Sequence, residues 1–150
     1  MTAATPILVV FALLFCAGAA LSVQTPINAA LARGLGDPVI AACANFLVGF
    51  LMMAVVCVFR GVWPTVGSVG QVPLWGWIGG AMGAFYITAL ILCVPLTGAL
   101  TAAAAVIFGQ MAMAILIDRF GAFGLPVQAI TWQRVAGLVL VMGGLLLSRT

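Results

Sequence analysis

Gln24 and Asn28 are the first side chains in this sequence able to do chemistry inside a membrane, and that chemistry is uncharged hydrogen bonding. Everything from residue 6 to residue 23 is apolar or small; two amides and Pro26 then arrive within five residues. Four positions apart, the two amides share a helix face, and the same row runs back through Ala20, Cys16 and Ala12. A polar pair in hydrocarbon is costly unless it faces protein or water, which makes it a candidate site. Two readings follow. As interhelical glue the amides would contribute about 0.6 kcal/mol on average and up to about 1–2. As cavity lining they would sit where Pro26 removes a backbone donor and leaves the carbonyl one turn earlier unpaired, near both of them.

Two further amides stand alone in apolar runs. Asn45 has Gly49 four residues on, and Gln110 follows Gly109. Each is either a substrate contact or a lone bridging group. Trp75 and Tyr86 offer an aromatic wall, although Trp75 also suits an interfacial anchor. Asp118 and Arg119 end an apolar run, with topology or gating as their sharper role and a solvated helix end as their plainer one. Arg134, at the start of the last run, is expected to cap carbonyls or meet lipid phosphate. Titratable chemistry stops there: there is no His, and the two acids are Asp37 and Asp118. No nucleophile–base pair, carboxylate pair or metal cluster can be built from this set, so an enzyme, a metal site and a cofactor are not expected. Cys16, Cys43, Cys57 and Cys93 are far apart in apolar runs and read as small core residues.

The elements that must position these groups are membrane helices. Of 150 residues, 66% are hydrophobic and 5% charged, against about a quarter charged in a soluble domain. The class is an all-α integral membrane protein. A sequence pI near 9.0 rests on scattered arginines without a basic patch, so membrane lipid is an expected partner and nucleic acid is not. Runs near the ~20 residues needed to cross a bilayer predict five transmembrane helices in a single domain, over about 6–32, 38–59, 74–93, 97–117 and 132–147. The first is about 40 Å long if it reaches Ala32, so it must tilt, bend at Pro26 or break. Residues 33–37 form the first loop, and Pro38 opens the second span. Pro95-Leu96-Thr97-Gly98 is expected as a tight turn between spans three and four. Span three carries Gly76, Gly80, Ala84 and Thr88 on one row with Gly79 and Gly83 beside it, a small-xxx-small pattern for close helix packing, to which Gly109 adds a small site in span four. Residues 1–5 carry no Lys or Arg, so the first segment is expected to stay as a span rather than act as a cleaved signal.

An odd number of spans puts the two ends on opposite faces. Arg60, Arg119 and Arg134 then share the face of the N-terminus, while Arg33 and Arg149 take the other. The bias that sets orientation is small, so insertion in both directions is open to this chain. Many transporters pair two halves of inverted topology around a mid-membrane site, and two oppositely inserted copies would reproduce that arrangement.

The order Gln24-x-x-x-Asn28-x-x-Leu31, Phe46-x-x-Gly49, Trp75 with Gly79-Gly80-x-x-Gly83, Pro95-x-x-Gly98, Gly109-Gln110, Asp118-x-Phe120-Gly121 and Arg134-x-x-Gly137 resembles the YdcZ-like family. These are half-sized bacterial inner-membrane proteins within the drug/metabolite transporter superfamily. The resemblance spans nearly the whole chain and implies a five-helix unit that works as a homodimer, antiparallel or otherwise, or with a paired homologue, exporting a small molecule. Four-span multidrug relatives in that superfamily use a buried Glu in the first helix for proton exchange. This sequence has no Glu, so coupling through a buried carboxylate is not expected. The reading is a transporter whose Gln24, Asn28, Asn45 and Gln110 face a polar or amphipathic solute, neutral or zwitterionic rather than a bare ion. The alternative is a non-transporting membrane subunit whose glycine rows dock it to a larger partner.

Overall fold

A computed structural model describes residues 7–148, and at Val66 the backbone alone. The expected helix start at Pro6 and the charge at Arg149 lie outside the described residues. The described residues are helical and contain no strand: α1 (Ile7–Leu35), α2 (Pro38–Arg60), the short α3 (Val66–Gly70), α4 (Ile78–Thr97), α5 (Ala99–Phe120) and α6 (Trp132–Leu147). Helix α1, helix α2, the stretch Leu74–Thr97 and helix α5 are each long and apolar enough to cross a membrane, and α6 is a shorter apolar helix of 16 residues. At 1.5 Å per residue α6 is about 24 Å long, somewhat short of a ~30 Å hydrocarbon core.

Several boundaries differ from the sequence expectation, each for a local reason. The first helix neither breaks at Pro26 nor ends at Ala32; it runs unbroken to Leu35, and Gly36 makes the turn. Two hydroxyls bond back one turn just before the proline, Ser22 Oγ to Gly18 O (3.1 Å) and Thr25 Oγ1 to Leu21 O (2.8 Å), a device that lets a helix bend without ending. The carbonyl that Pro26 leaves unpaired belongs to Ser22. Pro26 is exposed while Thr25, Asn28 and Ala29 are buried, so at 100° per residue that carbonyl lies on the side away from the amides, not near them. The expected turn at 95–98 shrinks to one residue. Helix α4 continues through Pro95 to Thr97, and Gly98, at φ 79°, turns the chain into α5. Helix α5 in turn carries Asp118 and Arg119 inside its last turn and closes at Gly121.

The chain divides into two compact units, residues 1–95 and 96–150. In the first, Asp37 caps α2, its Oδ1 accepting from the backbone N–H of Val39 (2.7 Å) and Ile40 (3.0 Å), with Pro38 at the first helical position. This tight cap folds α2 back along α1. The core there is Ala32, Ala41, Ala42, Ile87 and Ile91, with Leu31 and Tyr86 packed against it. Alanines at the contact let α1 and α2 approach closely, which in lipid replaces the hydrophobic drive that water supplies elsewhere. The α2–α3 loop is ordered by a capping box between Thr65 and Ser68. In the second unit α5 packs on α6, with Met111 Cε 3.7 Å from the Cβ position of Gly137. Thr101 Oγ1 donates to Ser148 O (3.0 Å), tying the start of α5 to the end of α6.

Candidate functional site

Helix α1 presents Thr25, Asn28, Ala29 and Ala32 as its buried edge. Gln24 flanks this edge half-buried, and its Nε2 donates to Oδ1 of the half-buried Asn45 on α2 at 3.2 Å. The tight Asp37 turn makes the pairing possible, because antiparallel neighbours bring residues 24 and 45 to the same depth. Three amides expected as site residues therefore belong to one helix pair. Gln24 and Asn45 are bonded to each other, and Asn28 stands one turn along the Gln24 row.

Asn28 is the unusual member. It is 4% exposed, yet its carboxamide makes no hydrogen bond among the described residues. Among the described residues, no side-chain N or O sealed from outside lacks a partner. The Asn28 amide atoms therefore lie on the small part of the residue that stays open: the stem is packed and the polar tip looks outward. An amide left like this usually costs a lost hydrogen bond unless something else supplies one.

The other expected site residues fall as follows. Tyr86, half-buried on α4, packs against the alanine–isoleucine core beside this helix pair. Trp75 is exposed in the 3₁₀ turn Leu74–Trp77 that precedes α4. Gln110 is exposed on α5, in the second unit. Among the packing glycines Gly83 meets a neighbour: a Cβ there would lie 3.5 Å from Phe46 Cζ on α2. Gly76 faces Val72 Cγ1 at 3.1 Å, within its own loop, while Gly79, Gly80 and Gly109 have open space. In the first unit the buried contact between α1 and α2 thus runs through Ala41 and Ala42, while Gly79 and Gly80 of the glycine row have open space. Thr25 and Thr101 are buried polar residues that sequence reading passed over. For Thr25 the signal was available, as a hydroxyl one residue before a mid-helix proline has a carbonyl to bond.

In the second unit Arg134 neither caps carbonyls nor stands alone. Its Nη1 is 2.9 Å from Asp118 Oδ2, and its Nη2 donates to Gln128 Oε1. Gln128 N also donates to Asp118 O at 2.8 Å, so the loop from Gly121 to Thr131 is stitched to the end of α5. Beside this pair lies an open crevice of about 190 Å³, lined by Met111, Ala114, Ile115, Asp118 and Arg134. Arg119 is exposed in the last turn of α5.

This arrangement can bind an uncharged polar group and can hold helix pairs in register; it contains no buried charge. Residues 9–147 match the model of the family described as "Putative inner membrane exporter, YdcZ". Over 139 residues the chain is 28% identical to inner membrane protein YdcZ of Escherichia coli (strain K12), covering 92% of this chain and 93% of that relative. No solved structure matches it. Matched from its first long helix to its last, the chain belongs to the YdcZ family and is a multi-pass transport protein of the bacterial inner membrane.

Proposed function

We propose that this protein exports a small polar or amphipathic solute, and that Asn28, with Gln24 and Asn45, lines its path. The observation that carries the reading is the Asn28 carboxamide, packed at its stem, open at its tip and without a hydrogen bond. A carrier needs such a group: one whose partner is supplied by the solute and withdrawn on release. Tyr86 would wall the path beside it, and Trp75 and, in the second unit, Gln110 are further proposed solute contacts. Asp118, Arg119 and Arg134 would serve gating or topology.

One five-span chain is half the usual size, so a second copy in inverted orientation, or a paired homologue, would close the path. The whole chain would act as one transmembrane domain of that pair. The nearly even split of arginines between the two faces supports insertion in both orientations. Cysteine labelling from each side of native membranes would show both orientations, and a single fixed one in every copy would remove the inverted pair.

Transport itself is tested by reconstituting the purified chain in liposomes and screening flux of labelled neutral, zwitterionic and charged solutes. Flux dependent on Asn28 supports the proposal. A chain that moves none of them, and that copurifies with a stoichiometric membrane partner, would be a docking subunit instead.

A further inference from the structure

We infer that the solute recognised here is an uncharged molecule carrying a carboxamide or urea-like group, read by a donor and an acceptor side by side. This rests on the proposed transport site and narrows it. The hydrogen-bond capacity of the three amides sets the chemistry. Each side chain holds one carbonyl oxygen and one NH₂ group. Gln24 spends one N–H on Asn45 Oδ1. Left open are the whole Asn28 carboxamide, the Gln24 carbonyl with one N–H, and the Asn45 NH₂. Five N–H donors and two carbonyl oxygens, each with two lone pairs, thus stand around one helix contact, and a carboxamide, itself donor and acceptor, matches them in both senses.

A charged solute does not match. No charged residue occurs in α1 before Arg33, in α2 before Arg60, or anywhere in α4. An anion would waste the two carbonyls and a cation would waste the NH₂ groups. Either would also enter an apolar helix contact without a counter-ion, which weakens binding by about tenfold or more. A zwitterion could use both the carbonyls and the NH₂ groups, but it must bring two charges out of water to do so. The Gln24–Asn45 bond adds a sequence of events: Asn28 has nothing to release and takes the solute first, and the pair opens only if the solute replaces what it loses.

Three nearly isosteric probes separate charge from shape: propionamide, propionate and propionamidinium. The full chain in nanodiscs is labelled with ¹⁵N, and the side-chain NH₂ signals of Asn28, Gln24 and Asn45 are followed as each probe is added. Propionamide is expected to shift the Asn28 signal saturably, with an apparent affinity at least about tenfold above either ion. In Asn28→Leu that response should vanish. In Asn28→Asp, propionamidinium should become the preferred probe, because a carboxylate pairs it bidentately. The wild-type series alone decides the matter if a variant folds poorly. Ions binding within tenfold of propionamide, or no response to propionamide, would overturn the inference. Flux in liposomes keeps the two readings apart. Asn28-dependent transport of a charged solute would overturn the solute class and leave transport standing. Propionamide binding without flux of any solute would do the reverse.

Discussion

Gln24 Nε2 donates to Asn45 Oδ1 at 3.2 Å across the α1–α2 contact, joining residues 21 positions apart in sequence. An amide pair between membrane helices contributes about 0.6 kcal/mol on average, and at most about 2. Replacing either residue by Leu should therefore lower stability by about that much, and the double replacement should cost less than the sum. Unfolding of the parent and the three variants in mixed micelles measures this coupling. If it is absent, the bond does not persist in the membrane.

The ion pair of Asp118 and Arg134 predicts a different outcome. Both side chains are roughly a third exposed, so screening limits the pair to about 0–1 kcal/mol. Asp118→Asn should hardly change global stability, yet it should loosen the loop from Gly121 to Thr131. Arg134→Gln should loosen it more, because it also abandons Gln128. Limited proteolysis of that loop from the exposed side reads both effects. Equal cleavage of all three proteins would show the stitching to be idle.

Two glycines should respond differently to a methyl group. Gly121 sits at φ 59°, and a Cβ there would lie 2.7 Å from Val127 Cγ2 and 2.9 Å from Leu125 O. Gly121→Ala should cost at least about 1–2 kcal/mol from the left-handed backbone alone. Gly83→Ala places a methyl at ordinary contact from Phe46 and should be close to neutral, whereas Gly83→Leu should push α4 off α2. Thermal unfolding of the three variants checks the ranking.

The same logic applies at the buried contact of α1 and α2. Ala41 is fully buried at the α1–α2 contact. Ala41→Leu should separate the pair and break the Gln24–Asn45 bond, with a stability loss of about 1–3 kcal/mol from overpacking. Disulfide formation between cysteines placed at 24 and 45 should be fast in the parent and slow in the Ala41→Leu background.

How far the sequence carries can be judged from these residues. Membrane class and helix number were legible because apolar runs near 20 residues have one physical meaning in lipid. The α1 row of Gln24 and Asn28 was legible for the same reason, as polar groups stand out there. The partner of Gln24 was not: helical periodicity places residues on a face but does not say which face meets which. Pro95 misled on a helix end because a proline in a membrane helix breaks one bond without ending it; at Pro26, where bending was among the readings, Ser22 and Thr25 bond back one turn and α1 continues. Arg134 gave no hint of Asp118, since the two lie sixteen positions apart across helix and loop. The glycines of α4 drew attention by number, while alanines at 41 and 42, plain in any helix, are the buried ones.

The central claim is that the open Asn28 amide serves a moving solute and not the fold. Flux of a labelled neutral solute by purified protein in liposomes tests it most directly, comparing the parent with Asn28→Leu at equal incorporated protein. The account predicts that the variant assembles and elutes as the parent does, and that its flux falls to that of empty liposomes. Parental flux from a well-folded Asn28→Leu protein would contradict it.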